Sequence, residues 1–500
     1  MTEQEEKRVR DFGFIFYLWS LLTLAAYAFG IYAIIIFAQE GVRFLDWVVA
    51  WIADTPVSEL GSIKLWIIGG IAALFIIGIL LAYLEIWIMS FIGAEFVNTI
   101  VFGIPLVILG GGIYCIIAEN IHVWIGIGIV ALAVMLIVVI LLVSKRIVLG
   151  AKIFESSCEA VNENKRTLLP ILIFAIMSII TFILGASASV WVVYYMESAP
   201  WLSDQESWLQ WIVFFAIIYV YLAIYWTTMY FTDAINICIF KRWNNFKESS
   251  IRYAMKDVWK VKGSIVMFGM FMAFFDWIVK IVQYFGAKKI KETSTFYKAF
   301  TIMKKVLYWV FIVFVLLFKW LFKIIKFLNY YTLTIIVVEK QGFIRSIARS
   351  SDLALDSGAD IIIGKTGVNI AKGFFSLMTF AIFAVAGFFV GQYWFGVSFT
   401  SDLTELALFG VAVGVFFFIF GYLPMSALLK PLNTAYQTIL FFYLTDSFRG
   451  KPGRRSRLSD DIQESISRVK EDVMETYDKE ERTSWSSEKK EQPTEQPAEG

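Results

Sequence analysis

The chain has 500 residues, 59% of them hydrophobic and only 17% charged, with a mean hydropathy of +0.70. Soluble globular chains stay near half apolar, so this composition excludes that class and places the protein in a membrane. The net charge of +2 says little as a total, and no nucleic-acid partner is expected; where the charges sit is more informative.

Lys7, Arg8 and Arg10 precede a first apolar run, Phe14–Ala38. The run is too long for the core of a secretory signal and lacks an A-x-A cleavage site, so it reads as a retained span. A spanning helix needs about 20 predominantly apolar residues to cross a hydrocarbon core of about 30 Å. Ten runs meet that requirement: Phe14–Ala38, Leu65–Leu84, Val97–Ala118, Ile121–Val143, Leu168–Tyr195, Trp208–Ile239, Ser264–Phe285, Val306–Val338, Gly367–Phe395 and Leu406–Leu429. The predicted fold class is all-α: a polytopic transmembrane bundle of ten spans, with short amphipathic cytoplasmic helices and a disordered C-terminal tail. The expected divisions are a four-span region over 1–146, a six-span membrane domain over 147–448 and a tail over 449–500.

Lys and Arg are retained on the cytoplasmic side, and that sets orientation. Basic clusters follow the fourth span (Lys145, Arg146, Lys152, Lys165, Arg166), the sixth (Lys241, Arg242, Lys247, Arg252, Lys256, Lys260, Lys262), the eighth (Arg345, Arg349) and the last (Arg449, Lys451, Arg454, Arg455, Arg457). An even number of crossings separates each cluster from the N-terminus, so both termini are expected in the cytoplasm of a cell-membrane protein. The other connectors carry acid: Glu40, Asp46, Asp54, Glu59, then Glu197, Asp204, Glu206, then Asp402 and Glu405. One connector disobeys. Lys288, Lys289, Lys291, Lys298, Lys304 and Lys305 fall outside by parity, so the seventh and eighth segments either cross in full, the favoured reading, or are re-entrant. Trp and Tyr at several run ends support the span edges, and Gly41–Ala53 is expected to lie along the outer surface.

The cytoplasmic connectors share a layout, an amphipathic helix leading into the next span. Ile251, Ala254, Met255, Val258 and Trp259 form one face of the second, against a basic stripe of Arg252, Lys256 and Lys260. In the third, Ile344, Ile347, Ala348 and Leu355 oppose Arg345, Arg349, Asp352 and Asp356. The first is acidic, with Glu155, Glu159 and Glu163 beside Ile153, Phe154 and Cys158.

Lys152–Phe174, Tyr230–Val282 and Ile335–Ile370, with the connector Val337-Val338-Glu339-Lys340-Gln341-Gly342-Phe343-Ile344-Arg345-Ser346, resemble landmarks of a prokaryotic, largely archaeal, multipass membrane family of unknown function. The resemblance covers about half the chain and carries no known catalytic residue. Over Gly263–Arg449, Lys326–Leu333 (KFLNYYTL) and Leu440–Gly450 (LFFYLTDSFRG) are similar to choline-transporter-like proteins, a weaker resemblance.

Ionisable groups inside a bilayer are expensive and mark pathways or relays. The candidate substrate-binding residues are Asp276, Asp233, Asn236, Glu85 and Glu95. Asp276 lies among Phe274, Phe275, Trp277 and Ile278, with no sequence neighbour to solvate it except Lys280 one turn on. Asp233 and Asn236 share a helix face. Glu85 and Glu95 flank an expected turn after the second span. Reaching headgroups or nearby lysines is the plainer role for Glu85, Glu95 and Asp233. Gly103, Pro105 and Gly110–Gly112 read as ordinary features of a span rather than an unwound transport site. Gly387 with Gly391, and Gly410 with Gly414, are GxxxG pairs that let the ninth and tenth spans approach closely.

No metal or cofactor is expected. Cys115, Cys158 and Cys238 have no paired spacing and read as small buried hydrophobes, and His122 stands alone. No Walker loop, GxSxG or HExxH occurs, so an enzyme is not expected. In the tail, Arg449–Arg457 suits either anionic lipid headgroups or a positive-inside stop-transfer signature, Leu458 to Tyr477 carries a narrow helical stripe that fits a cytoplasmic partner helix or a solvated lone helix, and Ser484–Gly500 reads as disordered. Two functions follow: a transporter-like bundle passing a small or amphipathic solute, or a membrane scaffold that recruits a cytoplasmic partner.

Overall fold

Backbone polar groups in hydrocarbon have no water to bond, so long apolar runs satisfy them internally, as helices. The fold is seen in a computed structural model that describes residues 13–39, 61–117, 123–198, 207–245, 247, 249–292, 317, 320–356, 373, 377, 379, 381–392, 410–411, 413–418, 421 and 429–449. Among them the secondary structure is helical throughout, and seven segments are long and apolar enough to cross a membrane. The protein is a polytopic helical bundle. In chain order the helices are α1 (Gly13–Gln39), α2 (Gly61–Ile117), α3 (Val123–Glu163), α4 (Leu168–Ser198), α5 (Ser207–Asn244), α6 (Ile251–Trp259), α7 (Lys262–Glu292), α8 (320–328), α9 (Thr332–Val338), α10 (Phe343–Asp356), α11 (Ala381–Val390) and α12 (Lys430–Arg449).

Two sequence expectations are corrected here. The turn predicted between Leu84 and Val97 does not exist: α2 runs unbroken from Gly61 to Ile117, through Pro105 as well. The polar residues that suggested a turn are met by the neighbouring helix instead. α3 packs antiparallel on α2, with Asn162 donating to Ser90 Oγ at 3.3 Å and Glu155 accepting from the Ala94 amide at 2.7 Å. Gly93 makes that approach possible, since a Cβ there would stand 3.3 Å from Glu155 Cα. An uninterrupted helix reverses direction nowhere between Glu85 and Glu95. The second correction is that the first acidic connector is no separate helix. Glu155, Glu159 and Glu163 belong to the last turns of α3, which continues through Lys145 and Arg146. Gly103, Gly110 and Gly111 border open space inside an intact helix, as an ordinary span would have them.

Around this hairpin the remaining helices close one basic face. Arg166 donates to the Ser249 carbonyl at 3.1 Å, Trp243 Nε1 to Glu163 at 2.7 Å, and Lys241 Nζ to the Val338 carbonyl at 2.9 Å. The start of α1 joins the same face: Lys262 Nζ donates to Tyr17 Oη at 2.9 Å, and the Phe16 and Trp259 rings meet edge to face at 5.0 Å. At its other end α1 meets the far end of α4, where Phe29 and Trp191 are 5.2 Å apart. Gly30 presses against Leu184 and Tyr221, and Tyr27 and Thr181 share a hydrogen bond of 2.7 Å.

The amphipathic connectors form as helices α6 and α10, but with narrower buried faces than expected. In α6 only Ala254 and Val258 are buried, while Met255 and Trp259 are each 52% exposed. In α10, Phe343, Ser346, Ser350, Leu353 and Ala354 are buried, and Ile344 and Leu355 turn outward. The glycine reading holds: a Cβ on Gly387 would lie 2.8 Å from Gly414 Cα, so the two backbones touch. Cys158 and Cys238 are buried as expected. His122, Gly41–Ala53, the lysines 298, 304 and 305, and everything beyond 449 lie outside the described residues.

Candidate functional site: an acid and aromatic cluster beside a broken helix

α5 and α7 pack antiparallel at van der Waals limits, because Gly269 leaves room for Thr227; a Cβ there would stand 2.6 Å from Thr227 Oγ1. That approach, together with the Trp277 indole donating to the Phe215 carbonyl at 2.8 Å, sets the register of the pair. The register carries Asp276 to Trp226, whose indole N–H donates to Asp276 Oδ2 at 3.2 Å. Lys280, one turn along α7, stands 3.3 Å from the same oxygen. Asp276 is thus held by two donors at 20% side-chain exposure, not left among apolar neighbours as its sequence surroundings suggested.

Aromatic rings extend this corner. Tyr230 stacks on Trp226 at 5.6 Å, and Phe268 lies 4.5 Å from Tyr230. Lys326, on α8, places its ammonium 4.4 Å from the Phe322 ring centre and 5.6 Å from that of Trp226. A cation over a ring face is drawn to the ring quadrupole, by about 0.5–1 kcal/mol at an exposed lysine such as Lys326.

Asp233 sits two turns further along α5 and acquires a partner that sequence reasoning missed. Lys430, the first residue of α12, places Nζ 3.8 Å from Asp233 Oδ1 and 3.9 Å from the Phe174 ring centre. Asp276 meets α5 at Trp226 and Asp233 lies on α5 itself, seven residues further on, so the two acids sit along the same helix. Asn236 shares the Asp233 face, is 0% exposed, and has neither amide atom hydrogen-bonded.

Beside the cluster the eighth segment is broken. Tyr330 N bonds to the Phe327 carbonyl and Thr332 N to that of Asn329, so the helical ladder skips a step. The groups released are the Leu328 carbonyl and the Tyr331 amide, and Ser350 of α10 serves both, donating at 2.6 Å and accepting at 3.1 Å. Gln437 of α12 donates to the Tyr330 carbonyl. Discontinuous helices are a recurrent feature of transport sites, and irregular backbone survives within a membrane bundle only when such partners satisfy it. The KFLNYYTL stretch contains the break, but no Gly or Pro signals it.

The structure therefore brings Asp276, Asp233 and Asn236 together and leaves Glu85 and Glu95 elsewhere. Glu85 accepts from Thr379 Oγ1 at 3.2 Å, and Glu95 lies exposed on α2. Among the described residues no group of three or more metal-ligating side chains forms.

Comparison with known proteins points the same way. The family described as plasma-membrane choline transporter matches residues 127–447, spanning Asp233, Asp276, the helix break and Lys430 but not Glu85 or Glu95. Of the two resemblances drawn from the sequence, this supports the second. No curated protein matches the chain. The match covers well over half of the sequence, and a membrane bundle of these helices is what it would lead one to find: the chain belongs to the plasma-membrane choline transporter family.

Proposed function

We propose that this protein carries choline, or a quaternary ammonium ion close to it, across a cell membrane. Family membership supports a transporter rather than an enzyme. The observation that carries the substrate reading is the Asp276 carboxylate held beside Trp226 and Tyr230. A quaternary ammonium has no N–H to donate, so it is bound by the charge of a carboxylate and by ring faces rather than through N–H hydrogen bonds. The neighbouring helix break supplies the structural discontinuity on which such sites are built.

The reading includes an orientation with both termini in the cytoplasm. What supports it for the N-terminus is direct contact: the start of α1 rests on Trp259 and Lys262, beside the basic connector. For the C-terminus the support is the cluster Arg449–Arg457. Exposed Tyr253, Met255, Trp259, Ile344 and Leu355, next to Arg252, Lys256, Arg345 and Arg349, suit a leaflet of anionic headgroups on the same face.

The test is uptake of radiolabelled choline into proteoliposomes. Wild type should accumulate choline above protein-free vesicles, and Asp276→Asn should nearly abolish uptake while expressing and inserting normally. Wild type equal to empty vesicles defeats the substrate assignment. Normal per-molecule uptake by Asp276→Asn removes Asp276 from it.

A further inference from the structure

The Lys430 ammonium is poorly served as a lysine. An ammonium has three N–H groups to satisfy, yet Nζ is sealed from solvent and, among the described residues, has no acceptor within hydrogen-bond distance; its ion-pair partner Asp233 Oδ1 stands 3.8 Å away. Thr434 serves the Asp233 carboxylate, but Oδ1 and both amide atoms of the fully buried Asn236 on the same helix face make no hydrogen bond among the described residues. What the position does offer is a carboxylate on one side and, 3.9 Å from the charge, the face of Phe174 on the other. A charge and a ring face at contact distance, with no acceptor close enough for an N–H bond, is an environment made for a cation that has no N–H to place.

We propose that the Asp233–Phe174 position is a second cation site, for a monovalent quaternary ammonium ion, and that Lys430 is its tethered occupant, displaced when such an ion arrives. The proposal rests on the transport reading above and adds a step to it. Lys430 is the first residue of α12, directly after the turn at Leu429, so its side chain can leave without moving the helix. Exchanging one monovalent cation for another also keeps Asp233 paired throughout, which matters because a bare carboxylate in this setting is costly. Asp276, reaching α5 at Trp226, and Asp233, seven residues further along α5, then form two stations beside that helix.

The experiment is equilibrium binding of choline and of tetramethylammonium to the purified full-length chain in detergent. Wild type should bind tightly at one Asp276-dependent site and fill the Asp233 site only at higher concentration, where the ion must displace Lys430. Lys430→Gln should open a further site, raising the stoichiometry to about two and tightening overall affinity by about tenfold. Asp233→Asn in the Lys430→Gln background should remove that gain, while Asp276→Asn in the same background should leave the new site intact. If Lys430→Gln does not fold alone, tetramethylammonium added during purification should rescue it and sodium should not. A folded Lys430→Gln with unchanged stoichiometry, or one that no ammonium ion rescues, overturns the proposal and leaves Lys430 a structural pairing residue. That outcome is distinct from failure of the transport reading, in which wild type too binds no choline.

Discussion

Ser350→Ala probes whether the break in the eighth segment is held in place by α10. The serine hydroxyl donates to the Leu328 carbonyl at 2.6 Å and accepts from the Tyr331 amide at 3.1 Å, and Ser350 is 0% exposed. Neither backbone group has a helical substitute. The Thr332 amide that would have served Leu328 is bonded to Asn329, and the Phe327 carbonyl that would have served Tyr331 is taken by Tyr330. Alanine therefore strands one buried acceptor and one buried donor. At about 1–3 kcal/mol for each unsatisfied group, the loss is about 2–6 kcal/mol. Thermal unfolding in detergent, at one fixed scan rate, should show a clear fall in Tm for Ser350→Ala. Ser350→Thr keeps the hydroxyl, so it should lose only what its extra methyl costs. Choline uptake by Ser350→Ala should fall along with stability, because the break sits between α5 and α12. A Ser350→Ala protein that melts with wild type would refute the reasoning, since the released groups would then have partners of their own.

Gly387→Ala should destabilise by about 1–3 kcal/mol through overpacking, because its Cβ meets Phe417 and Gly414. Gly110→Ala, facing open space, should be neutral or gain up to about 1 kcal/mol of helix propensity in the same melts. Trp259→Leu should loosen the start of α1, since Lys262 Nζ lies 4.7 Å from the Trp259 ring as well as 4.9 Å from Phe16 and 4.3 Å from Tyr17. Loss of about 1 kcal/mol of cation–π attraction should speed amide exchange in the first turns of α1 about fivefold, and unchanged exchange would show that α1 is held by its other contacts. In a background lacking native cysteines, a membrane-impermeant thiol reagent applied from outside should modify Asp204→Cys and spare Lys247→Cys and Arg455→Cys. Modification of either of the latter would reverse the proposed orientation.

By itself, the sequence determined the class of the protein, the helical nature of its spans, its basic face and the close approach at Gly387. Those depend on local composition: an apolar run must be a helix in lipid, and a glycine pair admits a second backbone whatever that backbone is. What it could not determine is which helix meets which. In a soluble helix the polar face marks the solvent side, but a membrane helix is apolar toward lipid and toward protein alike. The tracts of α2 and α5 therefore carry no stripe to name their neighbours. The hydropathy dip at Glu85–Glu95 looked like a turn because the residues that satisfy it, Glu155 and Asn162, lie on α3. Asp276 looked unsolvated because the register of α5 against α7 brings it Trp226. Lys430 directly follows the tenth apolar run, and only the packing of α12 on α5 and α4 made it the partner of Asp233 over Phe174. The helix break was silent for the same reason. Asn329 to Tyr331 contain no breaker, and the groups that make the break affordable, Ser350 and Gln437, come from elsewhere in the chain. Polar groups buried in a membrane are stable only in pairs, and pairing across helices is a property of the tertiary structure.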